Sequence, residues 1–248
     1  MSLRRALHKL ATDPLTSVRS LWRKGVVEPR RYGTPAGDYD ARRYWSNRFA
    51  RYNESLRGPG DEGVSDEQNL REYQAAGEQF MRLCRSLPID YAAANVLEIG
   101  PGSGYYTQLL RGLGVRRYTG LDIAASLLPT LDRQFAEYSF VQADVLRLPL
   151  AAQPAGAGYD LIAIIDVIEH IVERAALAAA LGGLAAQLAP GGRLLLAPLM
   201  EASRRHLFYV HFWSQQDVLD CTPGLHLEAS AAFRQGQLVS LQRPPRAA

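Results

Sequence analysis

The sequence predicts an α/β fold, in which a parallel sheet with crossover helices follows a helical N-terminal segment. Three observations carry this expectation. After Pro88, short apolar runs alternate with helical stretches, as parallel strands and their crossovers do. One of those runs, residues 159–165, is apolar almost throughout, which suits a central strand buried on both faces. A glycine-rich turn, Gly100-Pro101-Gly102-Ser103-Gly104, joins the first expected strand to a helix. The composition agrees: 248 residues, 47% hydrophobic and 21% charged, with mean hydropathy near zero, exclude a disordered or collagen-like chain. This length accommodates one large α/β domain, or one domain with an appendage, and a sizeable core.

Taken in order, Leu3, Leu7 and Leu10, then Val18, Leu21 and Trp22, predict two short amphipathic helices, broken by Asp13-Pro14 and closed by the loop Gly33–Gly37. Residues 41–57 repeat aromatic and arginine at helical spacing, with Tyr44, Trp45, Arg48, Phe49, Arg51 and Tyr52, before the breaker Gly58-Pro59-Gly60. A further helix spans about 66–87. Strands follow at 95–99, 118–121, 138–142, 159–165 and 193–197, with helices over 105–112, 125–135 and 173–188, the last stopped by Pro190-Gly191-Gly192. Ser214 can cap a helix over 215–220, and residues 225–233 and 237–242 predict a closing hairpin. Residues 1–90 are therefore expected to form a basic, helical cap and residues 91–248 the main domain.

Net charge is only +3, yet residues 1–57 hold 13 Lys and Arg against 5 Asp and Glu, a local +8. Such asymmetry fits an anionic partner or, more plainly, solvated arginines on helical faces. The longest charge-free run, residues 175–192, is rich in Ala and Gly and ends in Pro-Gly-Gly, so no transmembrane segment is expected. Asp13 and Pro14 interrupt what would be the apolar stretch of an export signal, and a cytoplasmic location is the expectation. Cys84 and Cys221 have neither metal-ligand nor redox spacing.

The glycine turn has the spacing G-x-G-x-G. Tyr105 occupies the place of the third glycine of the dinucleotide fingerprint, which counts against NAD, and the acid Glu98 before the turn suits a cationic amino group better than phosphates. Asp122 ends the second strand, where a carboxylate can accept both hydroxyls of a ribose. Ala143-Asp144-Val145 follows the third strand, Asp166-Val167-Ile168-Glu169-His170 the fourth, and Leu188-Ala189-Pro190-Gly191-Gly192-Arg193 leads into the fifth.

This ordered set, over roughly residues 92–243, resembles the class I S-adenosylmethionine-dependent methyltransferases. The resemblance implies a Rossmann-like, seven-stranded, mostly parallel sheet with an antiparallel C-terminal hairpin, helices on both faces, and S-adenosylmethionine as cofactor. It further implies that Glu98, Gly100, Gly102, Gly104 and Tyr105 lie at the methionine part of the donor. Asp122 would then bind its ribose, Ile123 and Val145 sandwich the adenine, Asp144 meet the adenine amine, and Asp166 lie under the sulfonium.

Methyl transfer from a sulfonium is an in-line displacement that chiefly requires alignment and exclusion of water. His170, His206 and His211, just past the fourth and fifth strands, are the candidate bases. Tyr44, Trp45, Tyr106, Phe212 and Trp213 are candidate walls of an acceptor pocket, Tyr44 and Trp45 because a helix before the first strand covers the cofactor in related enzymes. Asp166, Glu169 and His170 fall at i, i+3 and i+4, a spacing that can serve a metal, but the first acid is placed at the donor and no metal is expected. The expected activity is methylation of an oxygen or nitrogen on a small-molecule acceptor. An RNA methyltransferase and a donor-binding regulatory protein without turnover are the alternatives, and no Asn-Pro-Pro-Tyr-like motif follows the fourth strand. Acceptor identity and oligomeric state are left open.

Overall fold

Strand β4 (Tyr159–Ile165) shows why this sequence builds a two-faced sheet. Leu161, Ala163 and Ile165 point into one apolar layer and Ile162 and Ile164 into the other, so alternation of side chains produces an uninterrupted apolar run. β5 (Leu188–Leu199) divides in the same way, with Leu195 and Ala197 on one side and Leu194 and Leu196 on the other. With β1 (Asn95–Ile99), β2 (Arg117–Asp122), β3 (Ser139–Gln142), β8 (His226–Phe233) and β9 (Gly236–Gln242) they form a seven-stranded sheet in the order β3-β2-β1-β4-β5-β9-β8. All neighbours are parallel except β5 with β9 and β9 with β8. The order reverses between β1 and β4, and a crevice opens at such a switch point beyond the strands' carboxyl ends. These observations come from a computed structural model, which describes residues 22–52, 55–148 and 158–246.

One face is covered by α3 (Asp66–Ser86), α4 (Tyr105–Gly112) and α5 (Leu128–Gln134), the other by α6 (Arg174–Gln187) and α7 (Gln215–Cys221). Ser65 caps α3 by accepting the Gln68 amide at 3.3 Å, and Ser214 and Asp217 form a capping box on α7. Tyr73, Phe80, Leu83 and Cys84 of α3 share a core with Val96, Leu161 and Leu195 of the sheet. A division at residue 90 therefore runs between a helix and the sheet that it covers.

A third apolar cluster lies outside the sheet. A π-helical turn, Arg23–Val27, leads into α1 (Glu28–Tyr32), and α2 (Ala41–Tyr52) follows. Tyr32, Tyr39, Tyr44, Trp45 and Phe49 from this segment pack on Tyr209 and Val210. The latter belong to a feature that the sequence reading did not separate: β6 (Arg204–Leu207) and β7 (Val210–Phe212) form an antiparallel hairpin between β5 and α7. The helix expected around Leu3–Leu10 and the residues Val18 and Leu21 lie outside the described residues. Among the described residues, no helix is long and apolar enough to cross a membrane.

Candidate active site

A cavity of about 560 Å³ opens at the carboxyl edge of the sheet, beneath α2. Gly100, Pro101, Gly102 and Ser103 form one wall, and Asp122, Ile123, Asp144, Val145 and Leu146 continue it. Tyr39, Trp45, Phe49 and Pro59 close it from above, and Tyr73, Tyr105, Tyr106, Asp166 and His170 line the remainder. A cavity of this size can enclose a drug-sized ligand.

The glycine turn is fixed by its surroundings. Gly100 and Gly104 have φ of +68° and +80°, and a Cβ would stand 2.4 Å from Val167 Cγ2 at the first and 2.6 Å from Phe135 Cε2 at the second. Gly100 and Gly102 therefore bring bare backbone to the cavity. Gly104 does not line it; its role is to turn the chain into α4 against Phe135.

Asp122 is buried at the cavity wall. Its Oδ1 accepts the Ala124 amide at 2.8 Å and its Oδ2 the Gly102 amide at 3.4 Å, while burial pushes its carboxyl up to about 6. Each oxygen retains acceptor capacity toward a ligand. Asp144 lines the wall and also caps the short 3₁₀ turn at Val145–Arg147, accepting the Leu146 amide at 3.0 Å. Ile123 and Val145 both face the cavity.

Glu98 behaves differently from the expectation. It lies beneath the turn and outside the lining, where its Oε2 accepts from Tyr118 at 2.6 Å and Thr107 at 2.8 Å, and burial raises its carboxyl to about 7. Glu98 and Val96 share a strand face that looks into the α3/α4 layer, so the side chain braces α4 and β2 rather than reaching the cavity. Asp166 does line the cavity, at φ +56°, and is spanned by Arg234 through Nε–Oδ1 of 2.9 Å and Nη2–Oδ2 of 2.6 Å. Tyr106 also donates to Oδ2, at 3.1 Å. Arg234 sits in the β8–β9 turn, and nothing in the sequence motifs pointed to it.

His170 is enclosed by Trp45 and Tyr209, with ring centroids 4.6 and 5.8 Å away. Its Nδ1 is 3.0 Å from the Tyr209 carbonyl, which can only accept, so Nδ1 carries the proton and Nε2 the lone pair. Burial lowers the imidazole to about 4, below its ordinary value near 6.5. His206 and His211 do not line the cavity: they belong to the β6–β7 hairpin and stack on Phe212 and Trp213. Phe212 and Trp213 are likewise outside it, the latter buried with its Nε1 donating to the Ile171 carbonyl at 2.8 Å. Of α2's neighbouring aromatics, Trp45 faces the cavity, whereas Tyr44 packs among Tyr32, Tyr39, Phe208 and Tyr209. One residue along a helix turns the side chain by about 100°.

Two arginines tie the roof down. Arg48 of α2 is buried and donates to the carbonyls of Arg57, Gly58 and Gly60 and to the Tyr44 hydroxyl, holding the loop whose Pro59 overhangs Gly102. Arg205 of β6 donates to the carbonyls of Gly37, Val172, Leu207 and Phe208 and to Glu173, joining the cap to the hairpin. Among the described residues, no three His, Cys, Asp or Glu side chains converge as metal ligands would. Asp166 is engaged by Arg234, and His170 Nδ1 by Tyr209.

Comparison with known proteins agrees with the fold and the turn. Residues 97–194 match the family model described as a methyltransferase domain. A ubiquinone biosynthesis O-methyltransferase of Nitrosococcus oceani is 29% identical over 123 residues, 48% of this chain and 49% of its own length. A ribosomal RNA small subunit methyltransferase A of a Synechococcus species is 39% identical over 83 residues, 32% of this chain and 29% of its own. The match thus spans half or less of these curated relatives. The N-methyltransferase NodS of Bradyrhizobium japonicum has a similar structure, with a TM-score of 0.56, 21% identity, and coverage of 69% of this chain and 96% of that one. The glycopeptide N-methyltransferase MtfA, solved with S-adenosylmethionine, gives a TM-score of 0.54, 17% identity, and coverage of 68% and 94%. Residues 97–194 thus carry the match to a methyltransferase domain, within the Rossmann-like fold that the chain shares with these solved structures.

Proposed function

We propose that this protein is a cytoplasmic methyltransferase that moves the methyl group of S-adenosylmethionine to an oxygen or nitrogen of a small-molecule acceptor. The observation that carries this reading is the single cavity in which the bare glycine backbone and Asp122 face the aromatic roof of Tyr39, Trp45 and Phe49. The residues fit the donor: a cradle that Cβ atoms would obstruct, an acid at a strand end for the ribose, and Ile123 with Val145 for the adenine. When bound, the donor supplies a methyl group already activated by a sulfonium. The chain's own part is to enclose the acceptor under α2, exclude water and accept a proton at His170 Nε2. The small, roofed cavity favours a small acceptor over an RNA strand; the relative that acts on ribosomal RNA keeps that second reading in the test.

Calorimetry with S-adenosylhomocysteine checks the donor site, and isotopically labelled donor with cell extract, followed by mass identification of product, checks the acceptor. Micromolar binding and a labelled small molecule are expected. Binding of NAD with none of S-adenosylhomocysteine would overturn the donor reading, and label found only in RNA would replace the acceptor.

A further inference from the structure

We propose that the acceptor is a neutral aromatic ring bearing a hydroxyl, methylated on that oxygen, rather than an amine. The inference rests on the methyltransferase reading above and concerns the acceptor end of the same cavity.

Six aromatic side chains, Tyr39, Trp45, Phe49, Tyr73, Tyr105 and Tyr106, line the cavity, which suits a flat ring. The charges there are already compensated. Asp166, the acid that would receive an ammonium, has both oxygens held by Arg234 and one by Tyr106 as well. Glu169, next to it in space, is half-buried and does not line the cavity; burial and Asp166 raise its carboxyl to about 8, and its buried Oε2 has no hydrogen-bond partner among the described residues. With Asp122 and Asp144 of the lining assigned to the donor, an ammonium entering beside it finds Asp166 already paired, and a buried charge without a partner is costly. Two other acids, Asp38 and Asp40, belong to the outer rim, where they accept the backbone amides of Tyr39 and Arg43 and stand beside Arg42.

The remaining polar groups suit a hydroxyl. The Tyr39 hydroxyl is used twice, donating to the His170 carbonyl at 3.1 Å and accepting from Trp45 Nε1 at 3.2 Å. His170 Nε2 keeps its lone pair, because Nδ1–H is committed to Tyr209. A phenol keeps a nucleophilic lone pair while still protonated, and its acidity rises steeply as the new bond forms, so a weakly basic imidazole is a sufficient acceptor. An alkylammonium has no lone pair until it has lost a proton that an imidazole held this low cannot take. In the step itself, the hydroxyl oxygen forms the carbon–oxygen bond while the donor's carbon–sulfur bond breaks. That electron pair leaves on sulfur as a neutral thioether, and the hydroxyl proton passes to Nε2 of His170 and then to solvent.

The test uses the full chain and ring-matched acceptors, catechols and simple phenols against benzylamines and phenethylamines, with isotopically labelled S-adenosylmethionine and mass mapping of the methylated atom. S-adenosylhomocysteine binding is measured first. Oxygen-only products are expected, with kcat/KM favouring the phenols by about 100-fold or more. In Arg234→Gln, which frees Asp166, that ratio is expected to move toward the amines by about fivefold, the scale of one solvent-accessible ion pair. Donor binding with nitrogen methylation, with no phenol turned over, or with a ratio indifferent to Arg234→Gln overturns this inference alone. No donor binding overturns the methyltransferase reading with it.

Discussion

Three glycines near α4 differ in ways that separate backbone strain from steric contact, so their alanine variants form a graded test of the donor turn. Gly104 has φ +80°, and its added Cβ would stand 2.6 Å from Phe135 Cε2 and 3.1 Å from Leu131 Cδ2, both buried. Gly114 has φ +94° with open space around it, and Gly112 lies at the end of α4 with ordinary φ and open space. A left-handed conformation costs a non-glycine residue about 1–2 kcal/mol, and overpacking a core adds about 1–3 kcal/mol. Gly104→Ala should therefore lose about 2–5 kcal/mol and Gly114→Ala about 1–2, whereas Gly112→Ala should gain about 0.5–1 from reduced chain entropy. At about 2–4 °C per kcal/mol for a chain of this size, thermal unfolding resolves all three, with Gly104→Ala falling by roughly 5–15 °C. If Gly104→Ala unfolds no earlier than Gly114→Ala, the contact with Phe135 is not what selects glycine at this turn.

Asp122→Asn is expected to weaken S-adenosylhomocysteine binding by about 1–3 kcal/mol, the scale of hydrogen bonds to a charged acceptor, as read by calorimetry. The same change should favour the free protein as pH rises: burial lifts Asp122 from 3.8 to about 6, so its contribution to stability is complete below 3.8 and is lost through pH 6. Urea midpoints of parent and variant at pH 4.5 and 7.5 should diverge by at most about 3 kcal/mol in the variant's favour; parallel midpoints would remove the argument. His170→Gln should lower turnover by about 100-fold with donor affinity unchanged, because it removes the proton acceptor but touches no donor wall. His170 is held near 4 in the folded chain against 6.5 unfolded, so the parent's stability from this group is present above pH 6.5 and is lost as pH falls toward 4. The glutamine variant should lack that acid loss, and a turnover limb centred at 6.5 in the parent would contradict the assignment.

The sheet was legible because its signals are local. Strand β4 begins and ends at the residues that its apolar run marks, and Ser65, Ser214 and Pro88 punctuate the chain where the helices start or stop. The convergence of the residues proposed for the donor was legible for the same reason, since Gly100, Gly102, Asp122 and Asp144 all follow or end strands and line one crevice. Orientation was not. Glu98 lies in the expected strand, but which face of β1 carries α3 and α4 depends on chain direction across the whole sheet, and that placed its carboxylate on Thr107 and Tyr118. Arg234 reaches Asp166 from 68 positions away through a two-residue turn, and no periodicity reports such a pair. Phe212 and Trp213 were expected at the pocket, but a hairpin register divides this aromatic segment, sending Tyr209 toward His170 and Trp213 into the core.

On the proposed function, acceptor specificity is assembled from two segments that the sheet does not need for its own core. The cap, over residues 22–60, supplies Tyr39, Trp45, Phe49 and Pro59 to the cavity, and the β6–β7 hairpin supplies the carbonyl that fixes the His170 tautomer. Neither acts alone. Arg205 of the hairpin grips Gly37 of the cap, Trp45 and Tyr209 both pack on His170, and the Trp45–Tyr39–His170 hydrogen-bond chain returns to the turn after β4. A movement of either segment would release the imidazole and open the aromatic wall together, so acceptor recognition and orientation of the proton acceptor are one structural property. On the proposed function, the parts assigned to the acceptor lie outside the parallel sheet, while those assigned to the donor lie at its carboxyl edge.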